Sequence, residues 1–443
     1  MPTYQTMRGR AKTTRRWMRQ AFKLLCRLPG TMGNFPKQVK FNTSLNLLAW
    51  PVMNVVGARY RAATRKRQSV VVIVGSLGKT TTTRATINVL TGDTPDWIHA
   101  WDNCFSLIGI NLMRQGPRAP FAVIEAGIGS RGQMAQYASL LQPDIAVVTS
   151  IGTDHLRRLG GAEGLWEEKS NMVRALPPSG VAILNGDDAA VMRMAGVTRA
   201  RILTFGMTPG CDVFADNLTI DVKGSCFTLH AEGKAFQVRS RLIGRAAVRA
   251  QVAAAAVGRT AGIGFESILP RLQNQAPTPG RMQPIPLGNG AIALCDDFKG
   301  SFETFHAALE VMGQIQAHRR VVVLGSLYRP PTPRVCKYEA IGNHAARVAD
   351  RVILVGARAN LYRKGLSGLL PDHAVTTVRT VAAAADLLRA ELQPEDIVLL
   401  KGRGEQKLSR IALALSNVKV GCHLEFCPFE NVLCQVCPKL GVG

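Results

Sequence analysis

The first acidic residue in this chain of 443 is Asp93; no aspartate or glutamate precedes it. Residues 1–69 nevertheless carry fifteen Lys or Arg, and the whole chain has a formal net charge of +25. A segment without acids cannot neutralise itself, so its partner is expected to be a polyanion: anionic lipid, nucleic acid or an anionic substrate. Aromatic residues are scarce too, at 6%. Aromatic interleaving in the basic segment is thin, with no paired stacking motif and no finger spacing, which argues against nucleic acid. Long apolar runs are also missing. FNTSLNLLAWPVMNVVGA, residues 41–58, is broken by five polar side chains and Pro51, so it reads as a segment lying on anionic lipid or a helix packed on the body rather than a span. AFKLLCRL is too short and too charged for a signal peptide, and no solenoid period recurs. These absences describe a cytoplasmic protein able to rest on the inner membrane face through its basic N-terminus.

Cysteine is not lacking, but most of it is dispersed. Six of the ten cysteines stand singly in apolar or mixed stretches, as reduced thiols do. The other four, Cys422, Cys427, Cys434 and Cys437, fall within sixteen residues and end in C-x-x-C. Two readings stand open for them: a tetrahedral zinc or iron–sulfur site, or an ordinary tail with buried or reactive thiols.

With 47% hydrophobic residues, the chain can bury more than one core. Apolar β-branched runs (VVVIV, FAVIEAG, DIAVVTSIG, GVAILNGDD) alternate with amphipathic stretches from residue 70 onward, which predicts a mainly parallel sheet covered on both faces. Residues 211–240 instead alternate with period two and contain Lys-Gly and Glu-Gly turns, the pattern of a small antiparallel portion. The Pro-rich stretch NQAPTPGRMQPIP then leads into a second series of strands, AIALCDD, RRVVVLGS, DRVILVG and EDIVLLKG. The fold class is therefore α/β: a P-loop-type central domain over residues 70–278, then a Rossmann-like domain over 279–418. A basic extension, 1–69, precedes them and a cysteine-rich tail, 419–443, follows.

GSLGKTTTT begins where VVVIV ends. A strand, a glycine turn and a helix start direct backbone N–H groups toward a phosphate. In that reading Gly75, Ser76, Leu77 and Gly78 form the loop, Lys79 supplies a charge for the outer phosphates, the Thr80 hydroxyl faces Mg²⁺, and Thr81 continues the helix start. A tight βα turn with a surface lysine is the plainer alternative. Glu125 and His155 each follow a strand, where the carboxyl ends of a parallel sheet converge, although a lone strand-end Glu or His is more often structural.

G-S-L-G-K-T-T-T, E-A-G-I-G-S-R-G-Q-M, P-D-I-A-V-V-T-S-I-G-T-D-H-L, L-N-G-D-D, P-G-R-M-Q-P-I and V-L-L-K-G-R-G occur in this order, and together they resemble the motifs of the Mur ligases across roughly residues 70–415. The resemblance implies an ATP-dependent, ADP-forming ligase that joins an amine to a carboxylate-bearing cell-envelope or polymer precursor through an acyl phosphate, with peptidoglycan synthesis as the usual setting. It assigns Lys79 and Thr80 to phosphate and Mg²⁺, and Glu125 and His155 to Mg²⁺. Lys169 takes the place of a carbamylated lysine, so Lys79, His155 and Lys169 are the catalytic candidates. It also implies nucleotide contacts at Asn103, Arg281, Asp296 and Asp297. Asn103 follows Asp102 where the family has glycine, and capping is the alternative role for the two acids. Ala246 and Ala247 replace a His-Asn pair, DDFKGSFE replaces a longer Tyr/Asn-containing segment, and the basic leader stands where the family's UDP-sugar domain is expected. Two other readings remain: an amidating ligase fed with ammonia by a partner glutaminase, and an inactive nucleotide-binding adaptor.

Overall fold

A computed structural model describes residues 35–93, 103–153, 156–328, 334–428, 432–437 and 439–441. In chain order the principal elements begin with α1 (Phe35–Thr64), β1 (Ser69–Val74), α2 (Lys79–Thr91), α3 (Ser106–Arg114), β2 (Phe121–Glu125), α4 (Gln133–Leu141), β3 (Ile145–Val148), α5 (Gly161–Arg174), β4 (Val181–Asn185) and β5 (Arg201–Gly206). They continue with β6 (Val213–Asp221), β7 (Gly224–Ala231), β8 (Lys234–Ser240), α6 (Arg245–Thr260), α7 (Phe265–Asn274), β9 (Gln283–Pro286) and β10 (Ile292–Asp296). The last series is α8 (Phe302–Gln314), β11 (Arg320–Leu324), α9 (Arg334–Val348), β12 (Arg351–Val355), β13 (Val375–Val378), α10 (Val381–Glu391), β14 (Ile397–Lys401) and α11 (Ser409–Leu415).

The strands form an eight-stranded sheet, ordered β2-β1-β3-β4-β5-β6-β7-β8, and a six-stranded sheet, ordered β13-β12-β11-β14-β10-β9. This is the expected α/β class. Parallel pairing of β1 with β2 and β3, and of β3 with β4, follows from helical crossovers that return each strand in the same direction. Val70 to Val74 are all 0% exposed, because such crossovers cover both faces of the strand. The β6–β7–β8 portion is antiparallel, as its alternation predicts. Glu232 and Gly233 both have positive φ, which suits the two-residue turn between β7 and β8. The Lys-Gly step works differently from the expected turn. Gly224 already belongs to β7, and a Cβ there would fall 1.8 Å from the Ser240 carbonyl oxygen, so this glycine permits close approach of β8.

The described residues divide into two compact units, one made of those within 35–76, 103–184 and 190–202, the other of those within 77–93, 185–189 and 203–441. In the first, alternate β1 residues Val70, Val72 and Val74 share a core with Ile108, Met134 and Tyr137. In the second, the six-stranded sheet is buried on both faces: Val322 and Leu324 pack with Phe305 and Leu309, while Val321 and Val323 pack with Leu388 and Ile411. The Pro-rich stretch ends as the antiparallel edge strand β9, which tolerates Pro284 and Pro286 because an edge leaves one side of the ladder unpaired. Among the described residues, no helix is long and apolar enough to cross a membrane.

Candidate active site

The loop after β1 is shaped by what cannot fit there. Gly75 has φ +148°, and a Cβ on it would lie 2.0 Å from Thr149 Oγ1. Ser76 is tied to the chain beyond β3: its N–H donates to the Ser150 carbonyl at 2.9 Å, and its Oγ accepts from the Gly152 N–H at 2.9 Å. The chain then passes through Leu77 to Gly78, whose φ of +82° is left-handed, and Lys79 opens α2. Gly78 brings no side chain to cap the helix, and the first turn of α2 contains no acid. A 13-residue helix beginning in this way presents backbone N–H groups and the positive end of its dipole. Thr80 is buried at this end and Lys79 is half-buried, with Thr81 next along the helix.

Within the first unit, Glu125 closes β2 in register with Ile73 of β1. Its Oε1 accepts a 2.8 Å hydrogen bond from Asn103 Nδ2. The Asn103 carbonyl in turn accepts from the Gly127 N–H at 2.7 Å, and a Cβ on Gly127 would reach within 2.6 Å of Asn103 Oδ1. The structure thus brings Asn103 and Glu125 together, and the asparagine orients the carboxylate. Lys169 lies buried on α5. Its neighbour Glu168, a residue to which sequence reasoning assigns no role, accepts from the Gly132 and Met134 N–H groups at 2.8 Å each, so it caps α4. His155 lies outside the described residues.

A second cluster gathers at the strand ends of the six-stranded sheet. Asp296 of β10 and Lys401 of β14 are in register, and Lys401 Nζ meets Asp296 Oδ2 at 2.6 Å with the lysine side chain 1% exposed. The same ammonium donates to the carbonyls of Asp296 and Lys299. Burial pulls the Lys401 pKa down, and the Asp296 carboxylate opposes that shift. Asp296 Oδ1 also accepts from the Met282 N–H. Asp297 Oδ2 accepts from the Ser409 N–H at 2.7 Å, so it holds the start of α11, and burial pushes its carboxyl pKa up. The Arg281 guanidinium stacks on Phe298, 4.7 Å from the ring centre. A Cβ on Gly300 would fall 2.9 Å from Arg403 Cα. The P-G-R, D-D-F-K-G and K-G-R-G segments therefore meet in one place. Lys401, which sequence reasoning passes over, sits at its centre; a lysine ending an otherwise apolar strand is the signal that could have found it.

Of the two readings of the C-terminal cysteines, the zinc or iron–sulfur site finds no support. Cys422, Cys427, Cys434 and Cys437 do line one small cavity with Lys407 and Arg410. Yet among the described residues no three His, Cys, Asp or Glu are grouped to hold a metal ion. Cys422 Sγ lies 3.5 Å from Arg410 Nη1 as a hydrogen-bond acceptor. Burial lifts the Cys434 thiol to about 12.

The Mur ligase middle domain matches residues 73–258, and the Mur ligase, glutamate ligase domain matches residues 280–404. The UDP-N-acetylmuramoyl-tripeptide–D-alanyl-D-alanine ligase of Mycobacterium tuberculosis (strain ATCC 25618 / H37Rv) is 29% identical over 326 residues, a match spanning 69% of this chain and 64% of that protein. The ligase of the same description from Escherichia coli (strain K12) is 29% identical over 357 residues, 79% of this chain and 77% of the relative. Among solved structures, MurF from Acinetobacter baumannii superposes with a TM-score of 0.74 at 24% identity, covering 82% of this chain and 80% of that one. MurF ligase from Thermotoga maritima in complex with ADP gives a TM-score of 0.69 at 20% identity, covering 82% and 83%.

Proposed function

Because the chain belongs to the Mur ligase family, we propose that it is an ATP-dependent, ADP-forming ligase that joins an amine to a carboxylate through an acyl phosphate. The observation that carries the reading is the loop from Gly75 to Thr80, where a glycine without room for a Cβ is followed by a helix start that presents N–H groups and a lysine.

A carboxylate is a poor acyl donor. In the first step its oxygen attacks the γ-phosphorus of ATP, the bond to the β,γ-bridging oxygen breaks, and ADP leaves. In the second, an amine attacks the acyl carbon, phosphate departs, and the nitrogen loses a proton to give the amide. Loop N–H groups and Lys79 hold the phosphoryl oxygens and offset their charge, so the protein contributes positioning and electrostatics. The Thr80 hydroxyl and the Glu125 carboxylate are hard oxygen donors of the kind Mg²⁺ takes, and Asn103 fixes one oxygen of that carboxylate. Mg²⁺ would neutralise charge on the transferring group. His155 is assigned to the same metal and Lys169, as a carbamate, to a second one. Arg281, Asp296 and Asp297 are assigned to the nucleotide side.

The names of the relatives suggest the first pair to try, a UDP-linked muramoyl tripeptide and D-alanyl-D-alanine. ADP release and amide formation are measured with each substrate alone and with both, beside a Lys79→Ala variant. Turnover that needs both substrates and falls at least about 100-fold in the variant is the expected result. Equal ADP release from the two proteins overturns the assignment.

A further inference from the structure

Helix α1 has one side fastened to the first unit and another left outside. On the fastened side, Trp50 Nε1 donates to Gln136 Oε1 at 2.8 Å, and the Trp50 ring meets Tyr137 edge-on at 5.4 Å. A Cβ at Gly57 would lie 3.2 Å from Leu140 Cδ1. Arg61, 0% exposed, donates to the carbonyls of Leu141, Gln68 and Gln142 and pairs with Asp144 at 2.7 Å. Four bonds hold this guanidinium, and the helix cannot roll without losing them.

On the opposite side, Val52, Val55 and Val56 are 53%, 53% and 43% exposed. Arg59 and Ala63 continue this exposed row at helical spacing. Arg65, Lys66 and Arg67, all exposed, follow immediately after the helix. This face is the reverse of an ordinary surface helix, whose apolar stripe turns inward. The sequence around it has fifteen cations and no anion through residue 69.

We propose that this outer face of α1 docks on an anionic lipid surface, the valines entering the interface while the arginines and lysine meet phosphate headgroups. Charge complementarity favours lipid over a protein partner: the patch offers no acid for a mixed-charge interface, and apolar side chains beside cations are the chemistry of a peripheral membrane contact. The helix would lie in the interface and would not cross it, in keeping with the absence of a membrane-crossing helix among the described residues. The inference is independent of the ligase reading.

The test is co-sedimentation of the full chain with phosphatidylcholine vesicles, with and without about one-third phosphatidylglycerol. Binding is expected only with the anionic lipid and should weaken when NaCl rises from about 0.1 M to about 0.5 M. Val52→Asp with Val55→Asp should weaken it about tenfold, while Val52→Leu with Val55→Leu should keep it. Circular dichroism and thermal melting establish that both double variants fold. Failure to bind anionic vesicles overturns the proposal, as does equal binding by the aspartate variant. Two further results would also overturn it: an oligomer in solution that the aspartate variant loses, which makes the face an interface between copies, or a preference for duplex nucleic acid over lipid at the same salt.

Discussion

At the scale of single residues, the clearest constraint is a lysine with almost no access to water. Lys401 is held by Asp296 and by two carbonyls, and burial works against its charge. Removing one partner of such a pair costs more than replacing both, because the remaining charge is left without its counter-ion. Lys401→Met is therefore expected to destabilise the protein by about 3 kcal/mol, toward the low end for a buried pair, since Asp296 keeps the Met282 N–H. Lys401→Met combined with Asp296→Leu should cost less than Lys401→Met alone. Urea denaturation of the three proteins measures both quantities, and equal stability of wild type and Lys401→Met would show that the pair contributes nothing. The sequence displays Gly75, Lys79 and Thr80 plainly because their meaning is local: a strand, a glycine and a helix start within one short stretch. Lys401 is silent in the sequence because its partner is a hundred residues away and only the β10–β14 register joins them. The four cysteines show the opposite case, in which a local pattern leaves a metal site open and the described residues bring no such ligand group together.

At the scale of elements, α8 and α9 meet through two histidines. His306 Nδ1 and His344 Nδ1 lie 2.8 Å apart, and the rings stack with centroids 5.0 Å apart. Burial lowers the His306 pKa, as do His344 and Lys337, against an opposing pull from Glu303; burial likewise lowers that of His344, with Glu310 opposing and Arg347 adding. Folded pKa values below the unfolded value near 6.5 mean that the unfolded chain binds more protons within that window. Stability is therefore expected to be full above about pH 6.5 and to fall as the pH drops through the window. His344→Gln should flatten this slope. Urea midpoints at several pH values for both proteins check it, and an unchanged slope in the variant would remove the pair as its cause. The elements themselves were unevenly legible. β1 to β4, β10 to β12 and β14 announce themselves as apolar runs, since parallel strands covered on both faces need apolar residues at every position. β5, β9 and β13 do not: none is buried throughout, so neither a continuous run nor a strict alternation marks them.

At the scale of the whole molecule, the proposed nucleotide site makes a prediction that needs no knowledge of the acceptor. A ligand that binds the folded chain and not the unfolded one stabilises it by mass action, by about 2.7 kcal/mol when free ligand stands 100-fold above its dissociation constant. A non-hydrolysable ATP analogue with Mg²⁺ should thus raise the thermal midpoint by a few degrees, about 2–4 °C for a protein of this size class. The analogue with EDTA should raise it less, because the protein's oxygen donors would hold the proposed Mg²⁺, which would offset charge on the phosphates. Lys79→Ala should lose most of the shift while melting near the wild-type midpoint without ligand, since Lys79 is only half-buried at the start of α2. Scanning fluorimetry separates these outcomes. A shift that survives both EDTA and Lys79→Ala would mean that the analogue binds elsewhere, and the loop from Gly75 to Thr80 would then be a tight turn between a strand and a helix and nothing more.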